Sequence, residues 1–256
     1  MELLTLSNGG KTGEMIIYDD IGYDPWFGEG ITAKSVHSAL AEAKNLEELT
    51  VRINSPGGSV RDGNAIYNEL HRNKARIIVE IDSLAASAAS VIAMAGDEIR
   101  IAKNGLVMIH EASGGARGNA KDLEVTAQVL RKISSVAGEV YAARTGRDLA
   151  EILNWMADEK WMTADEAVSF GFATRVNPPK SAPPPTQQAK ERGERMVATF
   201  KHPPEEVVRM YASARPEDPK MTAPPREAPR GAPPAIVPTA LGRLATEARG
   251  FRLGNL

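Results

Sequence analysis

Asp82-Ser83-Leu84-Ala85-Ala86-Ser87-Ala88-Ala89-Ser90-Val91-Ile92-Ala93-Met94-Ala95-Gly96-Asp97 is the stretch whose reading decides the fold. It follows Ala75-Arg76-Ile77-Ile78-Val79-Glu80-Ile81, a run rich in β-branched residues with strand character. Between its two aspartates lie only small or apolar residues that favour a helix, which predicts a buried helix over residues 82–97 entered from a sheet edge. The first turn of such a helix has backbone N–H groups without intrahelical acceptors and carries the positive end of the dipole. Ser87 falls near that end, flanked by alanines, where a hydroxyl can be approached and an oxyanion can be held by amides. Ser83 and Ser90 offer the same chemistry, and Ser83 is the better N-cap. A serine among alanines is most often a packing or capping residue, so the case for Ser87 depends on what the rest of the chain brings to it.

On the N-terminal side, Gly13-Glu14-Met15-Ile16-Ile17-Tyr18-Asp19 predicts a first strand, and residues 32–44 an amphipathic helix capped by Thr32 with Val36, Leu40 and Ala43 on one face. Leu49-Thr50-Val51-Arg52-Ile53 predicts a strand running into Asn54-Ser55-Pro56-Gly57-Gly58, a turn with a rigid proline and two residues free to take positive φ. A helix over residues 60–72 follows, with Ile66, Tyr67 and Leu70 apolar. On the C-terminal side, Glu98-Ile99-Arg100-Ile101 and Gly105-Leu106-Val107-Met108-Ile109 predict strands, and His110 ends the second of them. Residues 119–144 predict one long helix stopped by Gly146, with more apolar surface than one subunit needs and so an assembly face. A helix over 148–156 follows, and then Thr163-Ala164-Asp165-Glu166, a capping box that opens a short helix ending near Gly171. Alternation of strand and helix in this rhythm predicts an α/β domain with parallel crossovers.

Proline divides the chain. Of its 17 prolines only Pro25 and Pro56 precede Pro178, which predicts a globular domain over residues 1–176 and a largely disordered, proline-rich tail over 177–256. Within the tail, residues 187–200 and 204–213 are helical islands able to dock on a partner. A net charge of −2 implies no nucleic-acid partner, and the absence of cysteine excludes disulfides, thiolate catalysis and Cys-based zinc sites. No basic leader and no run of roughly 18 apolar residues is present, which predicts a soluble cytoplasmic protein with no membrane association. Asn8-Gly9-Gly10-Lys11-Thr12 ends like a phosphate-binding loop, but Thr5 stands where its first glycine is needed.

Acyl transfer by serine needs a base, a group that orients the base and at least two donors for the developing alkoxide. Of the four histidines, His37 and His71 fall among polar residues in helices and His202 lies in the tail, so His110 alone ends an apolar strand within the domain. Ala157-Asp158-Glu159-Lys160-Trp161 supplies two adjacent carboxylates, either able to reach an imidazole.

Four segments together carry a resemblance: Asn54-Ser55-Pro56-Gly57-Gly58; Ala85-Ala86-Ser87-Ala88-Ala89-Ser90 with Ala95-Gly96-Asp97; Val107-Met108-Ile109-His110; and Trp161-Met162-Thr163-Ala164-Asp165-Glu166-Ala167-Val168 with Gly171. In order and spacing they resemble the motifs of the Clp-type (ClpP-like) serine peptidases, over residues 13–176, and most closely the phage and prophage branch of head-maturation proteases. The resemblance implies an α/β, crotonase-like spiral of ββα units and a serine endopeptidase without metal or organic cofactor. It makes Ser87 the nucleophile, His110 the base, and the amides of Gly58 and Ala88 the oxyanion donors. The family's acid falls on Glu159, where an aspartate is usual, with Asp158 as the second candidate. It also implies ring-shaped homo-oligomers and, for a phage role, capsid or scaffold proteins as substrates in a procapsid.

Two departures stand out. Glu111-Ala112 follows His110 where housekeeping members carry proline, and no counterpart of their ATPase-docking N-terminal loop is evident, which leaves an ATPase partner in doubt. Two other readings share the fold: a catalytically silent structural subunit, and an acyl-thioester enzyme that holds its oxyanion with paired amides but needs neither Ser87 nor His110.

Overall fold

A computed structural model describes residues 3–23, 30–177, 200, 202–205 and 208. All of these lie in the first of the two compact units into which the chain divides, Met1–Arg215 and Pro216–Leu256. The disorder expected of the tail and most of the helical island at 187–200 fall outside the described residues. Of the second island, Val208 N–H donates to Pro204 O, which is one helical turn.

Among the described residues eight strands form one sheet: β1 (Leu4–Ser7), β2 (Thr12–Ile17), β3 (Glu48–Ser55), β4 (Arg76–Ala86), β5 (Glu98–Ala102), β6 (Leu106–Ile109), β7 (Lys160–Thr163) and β8 (Arg175–Asn177). The helices are α1 (Ala33–Glu42), α2 (Val60–His71), α3 (Ala88–Ala93), α4 (Ala120–Thr145), α5 (Leu149–Ala157) and α6 (Ala164–Phe170). The main path runs β1-β2-β3-β4-β5-β8, and from β2 to β8 its pairs are parallel, each crossover carrying helix or a longer connection. The expected α/β architecture is therefore present. Thr32, Asp148 and Thr163 cap their helices through the side chain, and Gly146 and Gly171 end theirs in left-handed backbone.

The central correction concerns residues 82–97. No helix spans them: β4 continues to Ala86, and α3 occupies only Ala88–Ala93. Alanine prefers helix, but here the ladders decide. Ile78–Ile81 pair with β5, and when β5 ends, Leu84–Ala86 pair with β6, while β3 stays alongside up to Ser55↔Ala85. Strand β4 thus changes neighbour half-way, and its second half supports a short extension in which β7 runs antiparallel to β6. Ala85 and Ala86 are fully buried there, so small side chains are required by space rather than by helix formation. Ser83, the expected N-cap, sits inside the strand, and Ser87 takes the N-cap position instead.

One apolar core holds the inward residues of β2–β5 with Val36 and Leu40 of α1, Ile66 and Leu70 of α2, and Ile152 and Met156 of α5. Each such side chain contributes about 1.5–3 kcal/mol on burial. Across the sheet edge Glu98 accepts from Arg100 Nε at 2.7 Å, Arg175 Nε at 3.0 Å and Arg76 Nη2 at 2.7 Å, which joins β5 to both β8 and β4. The hydrogen bonds from Arg100 and then Arg175 hold the Glu98 carboxyl down at about 2. A depressed carboxyl stabilises the fold above its ordinary range and ceases to do so as pH falls through its folded value. Glu98→Gln is accordingly expected to lower the unfolding free energy by about 1 kcal/mol at pH 7, given the partial exposure of its partners. In denaturant titrations that gap should close between pH 4.5 and about 2, and a gap that persists unchanged at the acid end would contradict the assignment.

Candidate active site

Ser87 connects β4 to α3 with φ 51° and ψ −125°, a positive-φ conformation that costs a non-glycine residue about 1–3 kcal/mol. Surrounding contacts impose it. Ser87 N–H donates to Met108 O at 3.0 Å, extending the β4–β6 ladder by one residue, and its carbonyl accepts from Ser90 Oγ at 2.6 Å. With its own proton given to that carbonyl, Ser90 Oγ accepts from the phenol of Tyr141 at 2.8 Å. Burial pushes the Tyr141 phenol well above its usual value, so it stays a donor. Ser87's side chain makes no capping bond. Its Oγ instead lies 2.8 Å from His110 Nε2.

His110 follows the last residue of β6 and is half-buried. The chain beyond it is fixed by Glu111 N–H to Met156 O at 3.1 Å and by Ala112 N–H to the buried Ser134 Oγ at 2.9 Å. The two acidic candidates differ sharply. Asp158 is exposed and closes α5 as its C-cap, whereas Glu159, at φ 52°, is 6% exposed, the only buried ionisable side chain among the described residues apart from the Tyr141 phenol. A carboxylate so enclosed requires donors. Glu159 Oε1 accepts from Trp161 Nε1 at 3.3 Å and from the main-chain N–H of His202 at 3.0 Å.

The Pro-Gly-Gly turn packs directly on the serine. A Cβ on Gly57 would stand 2.7 Å from both Ala86 O and Ser87 Cβ and 2.8 Å from Ala88 N, so only glycine fits. Gly58 forms a parallel bridge with Ile21, in which Ile21 N–H donates to Gly57 O and Ser59 N–H to Ile21 O, both at 2.7 Å. That pattern turns the N–H of Gly58 itself to the opposite side. Ala88 is the first residue of α3, so its N–H has no intrahelical acceptor. Gly58, Ser87, Ala88 and His110 all line one open cavity of about 190 Å³, to which Val91 and Ile133 contribute apolar lining. A hydroxyl bonded to an imidazole beside two such amides can attack a carbonyl and hold the resulting oxyanion. Among the described residues no cluster of His, Asp and Glu could hold a metal ion.

A family model described as Clp protease matches residues 30–180, more than half of the chain. The chain belongs to the Clp protease family. It is accordingly a peptidase, of the serine type that this family represents. The span matched as Clp protease contains Gly58, Ser87, Ala88, His110, Asp158 and Glu159 and stops short of Phe200 and His202. No helix of this Clp protease, among the described residues, is long and apolar enough to cross a membrane.

Several residues around the site escaped the sequence reading. The sequence offers Ser90 only as a rival hydroxyl and gives Tyr141 no sign of a place in the site. Trp161 stands in a motif and Phe200 at the end of a tail island, neither with a local sign of what it touches. Their roles depend on long-range contacts, of which a single sequence carries no signal.

Proposed function

We propose that this Clp family peptidase is a serine endopeptidase in which Ser87 is the nucleophile, His110 the general base and Glu159 the orienting acid. The observation that carries the reading is the 2.8 Å contact between Ser87 Oγ and His110 Nε2 at the wall of an open cavity. His110 Nε2 takes the hydroxyl proton as Oγ attacks the scissile carbonyl, and the amides of Gly58 and Ala88 receive the developing negative charge. Collapse of the tetrahedral intermediate expels the amine, protonated by His110, and leaves an acyl-enzyme. Water, activated by the same imidazole, then releases the product acid and restores the hydroxyl. Glu159 holds the imidazole in the tautomer that accepts at Nε2 and stabilises the imidazolium.

The active form is a ring-shaped homo-oligomer. Val125, Val129 and Val136 of α4 are each about half exposed and fall on one face of the helix, an apolar stripe that suits a second copy of this chain. The resemblance to the phage and prophage branch makes capsid or scaffold proteins the substrates to try, with processing inside a procapsid.

Fluorophosphonate labelling of the assembled protein tests the chemistry. Wild type is expected to label at Ser87 and to cleave candidate capsid proteins, and Ser87→Ala to do neither. Unlabelled wild type would favour the silent structural subunit. Full activity of Ser87→Ala would favour the acyl-thioester enzyme.

A further inference from the structure

Phe200 and His202 lie beyond the matched span and outside every named element of the fold, yet both touch the candidate site. The Phe200 ring stands edge-on to the His110 imidazole, with centroids 6.2 Å apart, and edge-on to Trp161 at 5.2 Å. It packs on a small apolar cluster of Leu84, Ala86 and Met108, separate from the main core, and borders the cavity that holds Ser87. Two residues further on, the His202 main-chain N–H meets Glu159 Oε1, the oxygen that also accepts from Trp161. An aromatic wall on the base and a donor on the acid thus arrive together from one short piece of chain.

We propose that this segment is part of the catalytic centre: the main-chain N–H of His202 is a positioning group for Glu159, and Phe200 keeps water from the His110 and Glu159 side of the triad. The inference rests on the assignment of Ser87, His110 and Glu159 above. In this arrangement Oε1 of Glu159 is held by two donors. A carboxylate fixed at one oxygen loses its freedom to rotate, and a charge pair screened from water interacts more strongly. Both effects act on the base and its orienting acid, so they alter turnover more than binding.

Four variants of the full chain test this. His202→Ala keeps the main-chain N–H and His202→Pro removes it. Phe200→Ala opens the wall and Phe200→Leu partly restores it. With a fluorogenic peptide, His202→Pro and Phe200→Ala are expected to lower kcat about 10- to 100-fold with KM little changed. His202→Ala should stay near wild type, and Phe200→Leu should recover most of the loss. Thermal melts verify folding, and if His202→Pro fails to fold, the Phe200 pair decides. Unchanged kcat in His202→Pro and Phe200→Ala overturns the proposal. So does raised kcat, which would make the segment an obstruction to substrate, and so does an equal loss in His202→Ala and His202→Pro.

The NMR titration of the His110 ring is followed in parallel, because it does not require turnover. A midpoint moved by about 0.5 unit or more in Phe200→Ala or His202→Pro supports the segment's place beside the base, and an unmoved midpoint overturns it. If wild-type Ser87 neither labels nor cleaves while the midpoint moves, the peptidase reading fails and the positioning contact stands. If Ser87 labels normally while kcat and midpoint are unmoved, the positioning contact alone fails.

Discussion

Replacing Ser87 by alanine, His110 by alanine, or both at once is expected to lower kcat/KM for peptide hydrolysis by the same factor, about 10⁴- to 10⁶-fold. Equality of the three is the informative part. Oγ and Nε2 share one proton at 2.8 Å, so neither has a function in attack once the other is gone, and the double variant loses nothing further. What activity remains would come from the amides of Gly58 and Ala88 and from substrate binding, which all three variants keep. The check is a set of steady-state assays with thermal melts alongside. Losses that multiply in the double variant would mean that the two groups act independently, and the acyl-enzyme route would then fail.

The second large effect separates the two carboxylates. Glu159→Gln is expected to lower kcat by about 10³- to 10⁴-fold, because a neutral amide presents a donor as readily as an acceptor and no longer fixes the tautomer or stabilises the imidazolium. Asp158→Asn is expected to stay within about twofold, since Asp158 is exposed and only caps α5. The amide replaces the carboxylate with nearly the same volume, so packing against Trp161 and His202 survives in outline. Single-turnover acylation rates with the two variants make the comparison, and a larger loss from Asp158→Asn would reassign the acid.

How far the residues announced this arrangement differs from element to element. Helices with side-chain caps and glycine stops are legible, since Thr32, Thr163 and Gly171 act through neighbours a few positions away. The alanine-rich stretch was misread because propensity is local, whereas β4 is held to Ala86 by β3 on one side and β6 on the other. The strands β1, β7 and β8 are three or four residues long, too short for a periodic pattern to emerge. In the site, the motif order that resembles the Clp-type peptidases pointed to Ser87 and His110, which lie in hydrogen-bond contact. Spacing does not distinguish Asp158 from Glu159, whereas their burial differs: Asp158 is exposed and Glu159 enclosed. The approach of Phe200 and His202 has no local signal, because both residues lie some 40 positions or more from the residues they meet.

The tight fit of Gly57 against Ala86, Ser87 and Ala88 bears on how this peptidase can evolve. A turn held in shape by the absence of spare volume offers no gradual route of change: each added methyl group there meets main-chain atoms that cannot step aside. New cleavage preferences are therefore expected to arise at other lining positions such as Val91 and Ile133, where side chains can be exchanged for larger or smaller ones. Selection for altered specificity should accumulate its substitutions there and leave the Pro-Gly-Gly turn untouched.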